Sequence, residues 1–345
     1  MAETLTILQP GISAVTDLGR RRASRVGQMT GGASDQYSAE VANALVASGP
    51  TAPLMELMAL DFAMVPSTDI LVAVTGAPAD VRVDGVRAAQ WEPVVVPAGA
   101  TLSVTRIRHG LRVYIAVHGA VHARSLMNSC APDSVLGFGN HLASGDTIEI
   151  DVDCPPIRHP HFDIPVFRLG AARPRFGDHW DVPVTDGPDI GDFGGTETRL
   201  FDTTFTVGVA SNHIGLRLAP PDGHRLPERT AATEMLSRGV PIGAVEVPAG
   251  NELLVLHRGR GVTAGYPVLA VVTTIGLSLL GQARPGHTVR FTRTGIDSAV
   301  AAHRRRQSDI DAVRSRVHTV FTALGIPTHV GPGPLPSSAL TLESA

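Results

Sequence analysis

The chain has 345 residues, 43% of them hydrophobic but only 4% aromatic, so a large core has to be built mainly from Val, Leu, Ile and Ala. A net charge of −3 leaves no basic field for nucleic acid or an acidic membrane surface. All 29 basic residues are arginine, and without lysine the chain has no phosphate-loop lysine, no Schiff-base amine and no attachment point for biotin or lipoate.

With 36 glycines and 26 prolines, the composition favours short strands and tight turns over long helices. Residues 4–8 alternate as a strand and stop at Pro10-Gly11, and the polar, Arg- and Gly-rich stretch 16–33 reads as a long loop. Ser34-Asp35 caps a predicted helix that runs to about Ser48, with Tyr37, Val41 and Leu45 on one face. Strands are then predicted at 54–58, 62–65, 70–76, 80–83, 93–96, 101–106, 111–118 and 146–150, with a hairpin turn at Asp84-Gly85. Residues 151–163 are rich in Pro and polar groups and read as a linker. Beyond it lie further β-runs at 166–169, 203–209, 214–218, 243–247, 252–257 and 287–292, with a Gly/Asp-rich surface loop at 184–196. The run 264–280 is apolar enough to be either a buried helix or a strand–turn pair. Ile310, Val313, Val317, Phe321 and Leu324 give an amphipathic helix over 296–324, and the Pro/Gly/Ser-rich tail after Pro327 reads as disordered. Together these predict a mainly β fold with few helices. Its expected units are an N-terminal one (1–155), a second β-rich one (164–295), a C-terminal helix (296–326) and a tail (327–345).

The longest apolar stretch, 267–280, holds about 14 residues, too few to span a bilayer. The first ten residues carry neither a basic region nor an apolar one, so no secretory signal is read and a cytoplasmic location is expected. Cys130 and Cys154 give no disulfide framework and no zinc spacing. His159-Pro160-His161-Phe162-Asp163 has the composition of a metal motif, but the proline between the histidines and its place in a linker argue against one, and no metal is expected.

An ordered set of motifs then carries a resemblance. Pro10-Gly11 followed by Thr16–Arg20, Gly27–Asp35 followed by Ala42–Val46, and Val74–Ala77 resemble stretches of the allophanate hydrolase subunit 2 family. So do Tyr114–Gly119, Ile214–Leu218, Gly243–Gly250, Thr263–Pro267 and the run from Gln282 to Phe291. That family includes the C-type component of 5-oxoprolinase, the regulator KipA and the carboxyltransferase region of urea carboxylase. The resemblance implies two cyclophilin-like β-barrel halves and a heteromeric hydrolase acting on an amide or lactam C–N bond. It also implies a subunit-1 partner (KipI-like, the B-type component), a LamB/YcsF-like A-type component, and ATP bound by the complex. Two further activities fall within it: biotin-dependent carboxyl transfer to a urea-like substrate, with biotin carried on another chain, and a non-catalytic, KipA-like role. Thr16, Ala47-Ser48, Asn212-His213 and Glu246 depart from the family pattern at polar positions, which leaves catalytic competence open.

Several residues are candidates for the chemistry. Asp17, Arg20, Gly31, Gly32 and Asp35 share a Gly-rich region where arginine and close backbone N–H groups can receive a carboxylate; a purely structural Asp17–Arg20 pair is the competing reading. Arg258, Arg260 and Tyr266 flank a second glycine-rich stretch that suits an anion-receiving lip or a hairpin at an interface with a partner. Glu56, in the apolar context PLMELM, suits a general base or, alternatively, a partner for a backbone group or an arginine. Asn43, Arg217 and Gln282 complete the candidate substrate-binding set, and Asp17, Asp35 and Glu56 the candidate catalytic one.

Overall fold

A computed structural model describes residues 2–152, 168–230 and 235–328. Cys154, the linker motif around His159, the first half of the expected β-run 166–169 and the tail from 329 onward lie outside the described residues. The first half contains two sheets. One runs in the order Ala120–Val121, Thr147–Asp151, Glu3–Gln9, Phe62–Pro66, Leu102–Thr105, Asp80–Val83 and Val86–Arg87. The other runs Asn140–His141, Ile12–Thr16, Leu54–Met58, Arg112–Val117, Ile70–Gly76 and Pro93–Val96.

Period-two alternation explains the second sheet's layering. Along Ile70–Gly76, Ile70, Val72 and Val74 enter the core shared with the first sheet, while Leu71 and Ala73 face a helical layer. Arg112–Val117 divides in the same way, with Val113, Ile115 and Val117 on the sheet side and Tyr114 and Ala116 on the helix side. Both strands are buried on two faces, which is why their sequences read as near-continuous apolar runs.

Four α-helices are present among the described residues: α1 (Gln36–Leu45), α2 (Arg199–Asp202), α3 (Thr274–Leu280) and α4 (Ile296–Ala323). Asp35 caps α1 by accepting the Ser38 N–H at 3.1 Å. The helix α4 lays Ile310, Val313, Val317 and Phe321 into the same cluster as Tyr37, Val41 and Leu45 of α1. No helix among the described residues is long and apolar enough to cross a membrane.

The second half closes into a seven-stranded barrel in the order His179–Asp186, Val268–Val272, Ala244–Glu246, Leu253–Leu256, Gly215–Ala219, Thr204–Val207 and Thr288–Arg293. The barrel closes through a parallel pairing of its first and last strands, and Trp180, Val182, Val184, Phe205 and Phe291 fill it. The run 264–280 splits into a strand, Val268–Val272, and the helix α3, because Thr273 Oγ1 caps the helix by accepting the Gly276 N–H at 3.2 Å.

Two strands that shape the site and the barrel were not read from the sequence. Ile12–Thr16 runs into the start of the expected loop; the chain reaches it through Gly11, whose φ of +55° and 2.7 Å approach of a would-be Cβ to the Asp61 carbonyl leave no room for another residue. His179–Asp186 contains Pro183 and polar residues that hide its alternation, and it overlaps the start of the expected 184–196 loop.

Candidate functional site

The two halves meet through buried polar groups. Gly31 N–H donates to the Arg258 carbonyl at 2.9 Å. Gln282 Oε1 accepts the N–H groups of Leu111 and Arg112 at 3.0 and 2.9 Å, while its Nε2 donates to Asp35 Oδ2 at 2.8 Å. Arg112 donates to the Gly281 carbonyl, and Arg284 to those of Ile107 and Gly110. Beside this seam lies a cavity of about 320 Å³, lined from one half by Glu56, Arg112 and Ser134 and from the other by His213, His257 and Arg258.

Glu56 owes its position to register. It stands directly opposite Tyr114 across the ladder, on the face that looks toward α1. Tyr114 Oη donates to Glu56 Oε2 at 2.7 Å, and the Ser34 N–H adds a second bond at 3.1 Å. Arg112 Nε lies 3.4 Å from Glu56 Oε1. Burial first, and then the Glu56 charge, push the Tyr114 phenol well above its ordinary range, so it remains a proton donor to the carboxylate. Tyr114 Oη in turn accepts the Asp35 N–H at 2.9 Å, joining the start of α1 to the same network. Burial raises the Asp35 carboxyl pKa, against donors from Ser38 and Gln282 that favour its charged form.

On the barrel side, burial holds the His257 imidazole neutral, with its pKa pushed down to about 3, and its Nε2 sits 3.1 Å from the Leu277 carbonyl. Arg258 is only 9% exposed, and its guanidinium hydrogen-bonds to no described residue. Burial lowers its pKa to about 10, so it stays cationic at neutral pH.

Among the residues singled out from sequence, Gly31, Gly32, Glu56 and Arg258 line the cavity; Asp35 and Gln282 brace the seam behind it. Asp17 and Arg20 fix a neighbouring loop. Asp17 accepts from Gly19 N–H, Ser129 Oγ and Cys130 N–H at 2.7, 2.7 and 2.9 Å, and Arg20, 2% exposed, donates to the carbonyls of Leu126 and Ala131. The glycines there permit two backbones to cross, since a Cβ at Gly32 would meet the Leu18 carbonyl carbon at 2.5 Å. Asn43 donates to the Ala52 carbonyl at 3.0 Å within the α1 region. Arg217 pairs with Glu252 on the barrel surface, Arg260 donates to the Val240 carbonyl at 2.8 Å, and Tyr266 is exposed; none of the three lines the cavity. Sequence reasoning missed Arg112, Tyr114, Ser134, His213 and His257 as site residues. Arg112 and Tyr114 lie in the strand predicted at 111–118, but so apolar a run gave no sign of which face each takes.

Residues 26–293 match the family described as carboxyltransferase domain, subdomain A and B. The C-type component of the 5-oxoprolinase of Escherichia coli K12 is 28% identical over 318 residues, covering 91% of this chain and 99% of that protein. The urea amidolyase of Saccharomyces cerevisiae is 25% identical over 299 residues, which are 80% of this chain but 16% of that enzyme. Among solved structures, the protein TTHA0988 superposes with a TM-score of 0.70 at 30% identity, covering 84% of this chain and 55% of that one. The Kluyveromyces lactis urea amidolyase gives a TM-score of 0.79 at 24% identity over 90% of this chain and 20% of the other, a likeness of fold. With a seven-stranded barrel joined to a two-sheet half and a family match across both, the chain belongs to the carboxyltransferase-domain family, subdomains A and B.

Proposed function

We propose that this chain is the cavity-bearing component of a heteromeric, ATP-dependent amidohydrolase that acts on a small amide or lactam carrying a carboxylate, of which 5-oxoproline is the leading case. Arg258 carries this reading. A guanidinium that is 9% exposed, cationic and without a hydrogen-bond partner among the described residues is costly to keep, and a ligand carboxylate in the adjoining cavity would relieve that cost. The 5-oxoprolinase components among its relatives support the lactam and a complex of several chains; the subunit-1-like partner and the LamB/YcsF-like third chain rest on the motif resemblance.

Within the cavity, Arg258 anchors the substrate carboxylate. Glu56, its Oε2 held by Tyr114 and Ser34 and its Oε1 3.4 Å from Arg112 Nε, lines the cavity as the proton acceptor. Neutral His257 adds no charge and Glu56 offsets Arg112, so the guanidinium of Arg258, unpaired among the described residues, sets the sign of the ligand. Activation of the amide carbonyl would be the chemistry that ATP supplies when the complex binds it.

The family match and the urea amidolyase relatives favour a second reading, carboxyl transfer from biotin to a urea-like nitrogen. Biotin would then ride on another polypeptide, since this one has no lysine.

Co-expression with the subunit-1-like and LamB/YcsF-like chains, followed by an assay of glutamate formed from 5-oxoproline, separates the two. ATP-dependent glutamate production is expected, and Arg258→Ala should raise KM about tenfold or more, corresponding to roughly 1.4 kcal/mol. A complex that makes no glutamate but carboxylates urea from a biotinylated carrier would sink the lactam reading.

A further inference from the structure

Ser134 and His213 meet across the cavity from opposite halves of the chain. Ser134 Oγ lies 3.1 Å from His213 Nε2, hydrogen-bond distance for a hydroxyl donating to a neutral imidazole. Each side chain is presented by a fixed backbone. Asp133, fully buried, accepts the N–H groups of Val135 and Leu136 at 3.0 Å each. Its main chain pairs with Phe138 in both directions, at 2.7 and 3.0 Å, and Gln28 donates to its second carboxylate oxygen. The loop that bears Ser134 is therefore tied at both ends and from below. On the barrel side, Gly259 N–H donates to the His213 carbonyl at 2.9 Å. A Cβ at Gly259 would stand 2.3 Å from His213 Cδ2, so the imidazole rests directly against the glycine backbone. Asn212 Oδ1 fixes the same turn by accepting from Ile214 N–H at 2.8 Å.

From this geometry we propose that Ser134 and His213 form a nucleophile–base pair that gives the isolated chain acyl-transfer reactivity toward small activated esters. In the acylation step a bond forms between Ser134 Oγ and the carbonyl carbon, and the hydroxyl proton passes to His213 Nε2. The bond to the leaving alkoxide then breaks, and the alkoxide takes that proton. Water attacks the acyl-serine, its proton passes through His213 back to Ser134 Oγ, and a carboxylic acid departs. Arg112 and Arg258, lining the same cavity, supply positive charge for a negative carbonyl oxygen or an acid on the substrate. No carboxylate hydrogen-bonds to His213 among the described residues, so the pair lacks an orienting acid and a slow reaction is expected.

Partial burial first, with Arg112 and His141 adding to it, lowers the His213 pKa below its ordinary value; Glu56 and Asp133 act in the opposite sense. The neutral, basic form of the imidazole therefore persists to lower pH than in a free histidine.

The test is labelling of the purified full chain with a tagged alkyl fluorophosphonate, read by peptide mass spectrometry. The serine oxygen bonds to phosphorus, fluoride leaves, and the proton departs by way of His213. A label on Ser134 is expected, at a rate whose fall on acidification lies below the ordinary imidazole value of 6.5. Ser134→Ala should remove the label and His213→Ala should slow it about a hundredfold, with melting temperatures recorded for both. Should His213→Ala melt early, His213→Gln serves as the folded comparison. An unlabelled Ser134, a rate indifferent to His213, or label only on other serines overturns the proposal. Labelling requires neither partner nor ATP, so it can fail or succeed independently of the ATP-dependent lactam reaction.

Discussion

Glu246 is 1% exposed on the short strand Ala244–Glu246, and its Oε1 has no hydrogen-bond partner among the described residues. Burial raises its carboxyl pKa to about 7 from an ordinary 4.5. The folded chain therefore binds this proton more tightly than the unfolded chain does. Its stabilising contribution is complete below pH 4.5 and is lost as pH rises through about 7. Glu246→Gln should stabilise the protein by about 1–3 kcal/mol at pH 8, with the advantage shrinking by pH 5, measured by urea denaturation at the two values. An equal effect at both would remove the titration from the account. Side-chain roles of this kind were only partly legible beforehand. The acidity of position 246 and its departure from the family pattern were visible, but burial without a partner depends on residues distant in the chain.

At the scale of elements, periodicity was informative where one face alone is buried. Ile310, Val313, Val317 and Phe321 announced α4, which the structure places against α1 and α3. Phe321 is fully buried, its ring 5.7 Å from that of His118 in an edge contact. Phe321→Ala should cost about 3–5 kcal/mol in denaturant unfolding, through lost burial and the cavity left behind; a loss under about 1 kcal/mol would mean that α4 adds little to the core. Along Arg112–Val117, buried on both faces, only the structure separates Tyr114 from its neighbours Val113 and Ile115 and puts its hydroxyl beside Glu56. Periodicity failed at His179–Asp186, where a proline and polar outward-facing residues masked a strand on which barrel closure depends.

Across the whole molecule, the seam between the halves is polar and buried, and Gln282 is its most connected side chain. Gln282→Leu would leave two backbone N–H groups and the Asp35 carboxylate short of a partner, at a cost of about 2–4 kcal/mol. Calorimetry should show a single unfolding transition for the wild type and a broadened or divided one for Gln282→Leu. A sharp single transition in the variant, shifted by less than about 2 °C, would argue that the halves are coupled by other contacts. The sequence by itself determined the β-rich character, the C-terminal helix, the exclusion of lysine chemistry and, through ordered motifs, the family. These depend on local alternation and composition, which tertiary contacts only reinforce. Tertiary structure alone decided that Arg258, Glu56, Ser134 and His213 share one cavity while Arg217, Arg260 and Tyr266 stand apart from it. Residues far apart in the chain come together only when the barrel docks against the sheets, and no local pattern encodes that distance.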